Sequence, residues 1–338
     1  MIRSPATDPA GARARTARWR NTLLIAGGAV LAMVLPYVFT GLAARSLLIL
    51  TAINVILVVS LDLLIGLTGL LSLGHAAFWG VGAYASALTA MRLGFPFPLA
   101  LLAAIAAGAL AGAIVGAPAL RLRGHHFSVV TFIIGIIVTI LMTNLVGLTR
   151  GPMGLPGVPF ASLRLFGWSH TFMTIIYKVG FYHLTLFFVA LALLLRWRIA
   201  ASRLGRALKA IKADEDLARA IGIQTFRVKL TVFCVSAAVA GAAGSLYAHY
   251  TAFISPDSFT FVESFDLFVM NLVGGAGTAL GPIIGPAFLT SVGTALRSVS
   301  PVLAEIIYGA LLIVSITLLP TGIVGGTTAL ARRWRRRR

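Results

Sequence analysis

Four of the nine carboxylates in this 338-residue chain lie within or beside long apolar segments: Asp62, Glu263, Asp266 and Glu305. An ionisable group inside a membrane span is costly, so it usually marks a solute or ion pathway. His75 directly follows Gly74 and could donate a hydrogen bond to a solute, although a histidine satisfied by a neighbouring carbonyl is at least as common. These residue types indicate solute binding, with Asp62 near enough to a span end that it could instead extend to the membrane surface.

Motifs of enzymatic chemistry are absent from the sequence. It contains no G-x-x-x-x-G-K-[ST] phosphate loop, no H-E-x-x-H, no G-x-S-x-G and no Cys/His cluster. The single cysteine, Cys234, lies in an apolar span, where a small packing residue is expected. We therefore predict no catalytic residue, no metal site and no cofactor, and a membrane enzyme has no visible nucleophile.

Ten glycines cluster in two apolar stretches, five in 66–90 and five in 271–288. Glycine is unfavourable in a lipid-facing helix unless backbones approach closely or the helix breaks, and broken helices are tolerated only inside protein or along a wet cavity. We therefore predict broken or re-entrant helices in both stretches. The residues predicted to line a pathway are Asp62, Gly69, Gly74, His75, Gly274, Gly277, Gly281 and Asp266.

The composition places the chain among polytopic helical membrane proteins, an all-α class. Hydrophobic residues make up 59% and charged residues 11%, against about 25% charged in a soluble domain. A span needs about 20 apolar residues. The candidate spans, about ten in all, are 22–40, 46–65, 68–91, 97–120, 127–148, 180–196, 229–250, 262–276, 281–297 and 301–320, with 262–276 short enough to be re-entrant and 180–196 able to start near Thr171.

Basic residues cluster at three places, which accounts for the net charge of +19. Five arginines precede residue 21, nine Lys/Arg lie between Arg196 and Lys229, and six arginines follow Ala331. This is the positive-inside arrangement of membrane proteins and favours lipid headgroups over nucleic acid as the partner. It predicts a cytoplasmic arm at 1–21, a transmembrane domain at 22–320 and a cytoplasmic tail at 321–338, with ten crossings or, at the same parity, eight.

The 202–224 element is the most informative segment outside the spans. Leu204, Leu208 and Ile211 repeat at helical spacing, which predicts a short amphipathic helix on the cytoplasmic side. Three acids in a row at 214–216 work against adsorption to anionic headgroups. The apolar face with mixed charge therefore favours a groove on a partner protein.

The string GRALKAIKADEDLARAIGIQTFRVKL resembles the coupling region of branched-chain amino acid ABC transporter permeases. Within it, D-L-A-R-A-I-G resembles a degenerate form of the E-A-A-x-x-x-G loop of bacterial importer permeases. Further similar strings are LDLLIGLTGLLSLGHAAFWGVGAYASAL, LRLRGHHFSVVTF, SLYAHYTAFISPDSF and LVGGAGTALGPIIGPAF, which extend the resemblance over about 50–300.

The resemblance implies one subunit of an importer in the bacterial inner membrane, with both termini cytoplasmic. It implies cytoplasmic ATPase subunits, a second related permease and a periplasmic substrate-binding protein as partners, with ATP hydrolysis in other chains. The ATPase would dock on the 202–224 element. The residues implied for coupling are Leu204, Gly205, Arg206, Leu208, Asp216, Ala218 and Gly222.

Several positions depart from the family pattern. Asp62, Leu67 and Leu70 stand where relatives often have Asn, Tyr and Gln, and Ile136 and Thr139 where they often have Glu and Arg. Asp266 stands where relatives often have Glu. Two alternatives stay open: the resemblance also covers urea and short-amide permeases with the same machinery, and the residues alone leave open a self-contained secondary transporter or channel that uses membrane carboxylates.

Overall fold

The computed structural model describes residues 27–28, 30–122, 124–165, 168–171, 178–299, 306–307, 309–310, 313, 317 and 322–326. All of the predicted arm at 1–21, and most of the last span at 301–320 and of the tail at 321–338, lie outside these residues. The orientation of the termini and the span count stay predictions. Residues 30–38, from the first predicted span, are helical.

Helices make up nearly all of the described chain. They are α1 (Leu42–Thr68), α2 (His75–Arg92), α3 (Phe97–Ala119), α4 (His125–Asn144), α5 (Val146–Thr149), α6 (Val179–Ala201), α7 (Arg203–Ala213), α8 (Glu215–Ala220), α9 (Thr225–Thr251), α10 (Phe261–Gly274) and α11 (Gly281–Val299). Short 3-10 turns occupy Gly151–Met153 and Pro256–Phe259. The all-α polytopic class is confirmed.

In the part of the chain that the structure describes, five helices are long and apolar enough to cross a bilayer: α1, α3, α4, α6 and α9. The predicted span 68–91 begins too early, because α1 ends at Thr68 and α2 begins at His75, with the predicted break of this stretch between them. α6 begins at Val179, not near Thr171. α10 has 14 residues and is about 21 Å long at 1.5 Å per residue, too short for a core of about 30 Å.

Among the described residues, four short strands interrupt the helical pattern, three in the Gly- and Pro-rich segment after α5 and one after α9. They are β1 (Leu155–Pro156), β2 (Ser162–Leu165), β3 (Trp168–Thr171) and β4 (Phe253–Ile254). β1 pairs antiparallel with β4, and β2 with β3. The Gly- and Pro-rich composition predicted turns here, but it did not predict these two small β ladders.

The core lies around α1 and α9, the two most buried spans. α9 packs against α3, α2 and α1 through close backbone contacts. A Cβ on Gly82 would meet the backbone of Gly241, and a Cβ on Gly108 would lie 2.5 Å from the carbonyl oxygen of Ala237. Small residues at such contacts are the usual means of helix association in membranes, so these glycines are explained by packing.

Candidate functional site

The first glycine stretch breaks the chain between α1 and α2. Gly69 adopts a left-handed conformation with φ of +75° and ends α1. The Leu73 N–H then donates to Thr131 Oγ1 at 3.2 Å, and the Ala76 N–H donates to Ser264 Oγ at 2.9 Å. Side chains of α4 and α10 therefore satisfy backbone groups that the break releases, as buried N–H groups require.

His75 begins α2 and is completely buried. Its Nε2 lies 2.7 Å from Ser60 Oγ, and the Ser60 hydroxyl donates to the carbonyl of Leu57 at 2.6 Å. Nε2 is therefore the donor, and Nδ1 is left as an acceptor. Among the described residues Nδ1 has no hydrogen-bond partner. The same holds for Ser72 Oγ and for Oδ1 and Nδ2 of Asn271.

The second glycine stretch breaks the chain between α10 and α11. Gly277 has a φ of +79°, and its N–H donates to Asp62 Oδ1 at 2.7 Å. The carbonyl oxygen of Thr278 accepts from Arg196 Nη2 at 2.8 Å. A Cβ on Gly274 would meet the backbone of Gly281, so the chain turns back closely here. Two charged side chains from other helices thus satisfy the second break.

Those two charges form a buried ion pair. Arg196 Nη2 lies 2.6 Å and Nε 2.7 Å from Asp62 Oδ2, with the two side chains 10% and 0% exposed. The expectation that Asp62 could extend to the membrane surface was wrong. A Cβ on Gly66 would lie 2.5 Å from Asp62 Oδ1, so this glycine leaves room for the carboxylate. The pair joins α1, α6 and the second break.

The two other described carboxylates of the spans, Glu263 and Asp266, lie one turn apart on α10 and are half-buried. Val262 and Phe265 on the same short helix are 63% and 37% exposed. Asp266 is therefore not part of the ion pair, and it lies on a face that the chain leaves partly open.

Helix α7 of the 202–224 element packs its apolar face inward. Leu208 is fully buried and Ile211 is 6% exposed, and α7 packs against α1, α6 and α9. A Cβ on Gly205 would meet the carbonyl oxygen of Ile199. The prediction that this apolar face binds a partner was wrong, because α1, α6 and α9 already cover it. Lys212 Nζ donates to the carbonyl oxygen of Gly66 at 2.7 Å, which ties α7 to the first break.

Helix α8 presents a different surface. Asp214 caps it by accepting from the N–H groups of Asp216 and Leu217 at 2.9 and 3.0 Å. Glu215 Oε1 lies 2.7 Å from Lys229 Nζ, which anchors α8 to α9. Leu217 and Ile221 are 62% and 68% exposed. Asp214 and Glu215 therefore position Leu217 and Ile221, which together form the exposed apolar tip of α8.

The motif glycine of this element has a backbone role. Gly222 has a φ of +87°, its N–H donates to the Arg219 carbonyl, and the next N–H, of Ile223, donates to that of Ala218. This is the Schellman arrangement, which ends a helix with a left-handed residue. Ala218 is 2% exposed. The resemblance at these positions thus reflects the turn that orients α8.

A family model described as the permease component of the branched-chain amino acid transport system matches residues 43–316, which include both breaks and the 202–224 element. This chain belongs to that permease family. It is 34% identical over 290 residues to the high-affinity branched-chain amino acid transport system permease protein LivM of Salmonella typhimurium, which covers 81% of this chain and 68% of the relative.

Other curated relatives agree with this assignment. LivM of Escherichia coli K12 is 34% identical over 291 residues, covering 81% of this chain and 68% of the relative. LivH of Salmonella typhimurium, named as a permease of the same transport system, is 30% identical over 275 residues, covering 77% of this chain and 87% of the relative. No solved structure matches the chain. The predicted family is therefore confirmed.

In this permease the predicted pathway residues divide between the two breaks. Gly69, Gly74 and His75 lie at the first, and Gly274, Gly277 and Gly281 at the second. Asp62 connects the breaks, whereas Asp266 lies apart from them on α10. Of the predicted coupling residues, Gly205, Leu208 and Ala218 are buried, Leu204 is half-buried, and Arg206, Asp216 and Gly222 are exposed. Their roles in transport stay predictions.

Sequence reasoning missed Arg196, Lys212 and Asn271. Arg196 was counted with the basic loop because it follows directly on an apolar run, and Lys212 was one of nine cations there. Two signals point to Arg196: the backbone groups of a predicted break need hydrogen-bond partners, and Asp62 within its span needs a cation. Both favour a basic residue at the end of another span. No sequence signal marked Asn271 as a buried amide.

Proposed function

We propose that this chain is the membrane subunit of an ABC importer for branched-chain amino acids. It works with a second related permease, cytoplasmic ATPase subunits and a periplasmic binding protein in the bacterial inner membrane, and contacts lipid elsewhere. Its membership of the permease family and the names of LivM and LivH support the substrate class. Separate ATPase chains accord with the absence of a phosphate loop from the sequence.

The proposed solute pathway rests on one observation, the partly exposed face of α10. This helix is too short to span the bilayer, yet it holds Glu263 and Asp266 on or beside an exposed face. Carboxylates at membrane depth face protein or water, not lipid. We place the second permease opposite this face, with the solute passing between the two subunits and its ammonium group meeting Asp266.

The two breaks supply complementary groups. At the first break His75 Nδ1 is a buried acceptor, and on α10 just before the second break the Asn271 amide is a buried donor and acceptor, each without a partner in the described part of the chain. Buried polar atoms without partners are uncommon in folded proteins. A zwitterionic amino acid that entered between the helices would supply donors to Nδ1 and an acceptor to the amide.

Uptake into proteoliposomes tests the proposal. This chain is co-purified with the second permease, the ATPase and the binding protein encoded beside it. Labelled leucine, isoleucine and valine are then offered as substrates. We expect ATP-dependent uptake that falls at least about tenfold in Asp266→Asn, since a charged hydrogen bond contributes about 1.5–3 kcal/mol. The matched control is Asp257→Asn, an exposed carboxylate outside α10, which should transport normally.

Two results would overturn the proposal in different ways. ATP-dependent uptake of urea or acetamide with no uptake of leucine would support the amide importer. Uphill uptake by this chain alone, driven by an ion gradient, would support a secondary transporter. Equal uptake by Asp266→Asn and the control would remove Asp266 from the pathway and leave the substrate class intact.

A further inference from the structure

A continuous set of contacts connects the 202–224 element with both helix breaks. At the first break, the carbonyl oxygen of Gly66 lies in the last turn of α1. The N–H of Leu70, four residues on, donates instead to the carbonyl of Leu64. Lys212 Nζ donates to the Gly66 oxygen at 2.7 Å and so caps this turn. A cation at a helix C-terminus is also favoured by the helix dipole.

The same turn of α1 holds the second break. Asp62 Oδ1 accepts from the Gly277 N–H at 2.7 Å, and a Cβ on Gly277 would lie 3.2 Å from the Gly66 carbonyl oxygen. A Cβ on Gly66 would lie 2.5 Å from Asp62 Oδ1. The two breaks and the carboxylate therefore touch one another, and little free space remains between them to absorb a displacement.

The 202–224 element is attached just as closely to the other half of the ion pair. Ser202 caps α7 by accepting from the Gly205 N–H at 3.3 Å, and Gly205 packs against the carbonyl of Ile199 at the end of α6. Arg196 lies in that last part of α6 and bonds both Asp62 and the Thr278 carbonyl. A movement of α7 therefore acts on the second break through Arg196 and on the first through Lys212.

We propose that Lys212 and the Asp62–Arg196 pair are positioning residues that transmit the displacement of the 202–224 element to both helix breaks. The proposal rests on the proposed function, in which an ATPase partner moves this element. It assigns Asp62 to coupling instead of to solute binding, because both of its oxygens already have partners within the chain.

The test follows the second break by spin labels in the assembled complex. One label replaces Ala279 in the break and the other replaces Met153, which is 85% exposed in the 3-10 turn after α5, in a Cys234→Ala background. Distances are measured without nucleotide and after trapping with ATP and vanadate. We expect the distance distribution of the otherwise unchanged chain to shift on trapping.

Three variants decide the outcome. Lys212→Met removes the cap, and Asp62→Asn with Arg196→Gln removes both charges without leaving either one unpaired; in both, the shift should fall to less than half. Lys209→Met is the control, since it removes a lysine from the same helix but leaves the Lys212–Gly66 hydrogen bond in place, and it should keep the full shift. Co-purification of the ATPase is measured for each.

The proposal fails if the unchanged complex shows no shift, or if Lys212→Met shifts as Lys209→Met does. It also fails if Lys212→Met alone abolishes co-purification, because Lys212 would then serve assembly. The label measurement uses no transported solute. A normal shift in a complex that takes up no branched-chain amino acid would therefore count against the proposed substrate and leave the coupling proposal standing.

Discussion

The apolar tip of α8 gives the sharpest prediction about assembly. Leu217 and Ile221 are the exposed apolar side chains of the 202–224 element, whereas Leu208 is fully buried in the chain itself. If an ATPase docks on this element, the two exposed side chains are the ones available to enter its groove. We predict that Leu217→Ala and Ile221→Ala weaken docking and leave the fold unchanged.

The expected size follows from the exposed fractions of the two side chains. Truncation to alanine removes three methyl or methylene groups, worth about 0.8 kcal/mol each when fully buried. With 62% and 68% of these residues exposed before docking, each substitution should cost roughly 1.5 kcal/mol of binding free energy. That corresponds to a Kd about tenfold higher for each single variant.

The assay is titration of immobilised ATPase subunit with the permease in nanodiscs. Val146→Ala is the matched control, since this valine is 60% exposed on α5 and should leave Kd unchanged. Leu208→Ala should instead destabilise the fold, because a cavity in the core costs about 2–5 kcal/mol of folding stability. If both α8 variants bound within twofold of the unchanged chain, the assignment of the docking surface would be wrong.

Three further substitutions test the packing of the fold. Gly82→Ala forces a Cβ into the backbone of α9 and should lower stability in detergent by about 1–3 kcal/mol; Gly147→Ala, with open space around it, should have no effect on the melting temperature. Gly222→Ala places a side chain at a φ of +87°, so amide exchange in 214–223 should rise by about the five- to thirtyfold that 1–2 kcal/mol allows. Lys229→Met should raise amide exchange in the same segment, because Glu215 loses its buried cation. Adding Glu215→Gln to Lys229→Met should recover part of the protection. Exchange in Lys229→Met equal to that of the unchanged chain, or no recovery in the double variant, would refute that anchor.

Hydropathy was sufficient to place most of the helices. The spans predicted at 97–120 and 281–297 correspond to Phe97–Ala119 and Gly281–Val299, because a bilayer leaves few alternatives to an apolar helix. Glycine content also indicated the breaks, and Gly69 and Gly277 do adopt left-handed conformations there. The start of the predicted span 68–91 was misplaced, because hydropathy does not show where the chain leaves α1, and the left-handed Gly69 sets that point.

The 202–224 element shows where sequence reasoning fails. Its periodicity identified Leu208 and Ile211 as one apolar face, but periodicity cannot say which neighbour covers that face. Here the chain's own helices cover it. The consecutive acids 214–216 looked like one feature, yet Asp214 caps α8 and Glu215 binds Lys229. Adjacent residues on a helix point in different directions, so a run of like charges need not share a partner.

The buried pair Asp62–Arg196 has a physical reason that simple packing does not supply. A buried ion pair contributes little net stability, and apolar side chains of similar volume often do as well. At this site, however, the second break leaves the Gly277 N–H and the Thr278 carbonyl without helical partners, and the two charges satisfy one each. A hydrogen bond to a charged group contributes about 1.5–3 kcal/mol. Leucine at both positions would remove both of these hydrogen bonds, so the geometry of the break depends on the ion pair.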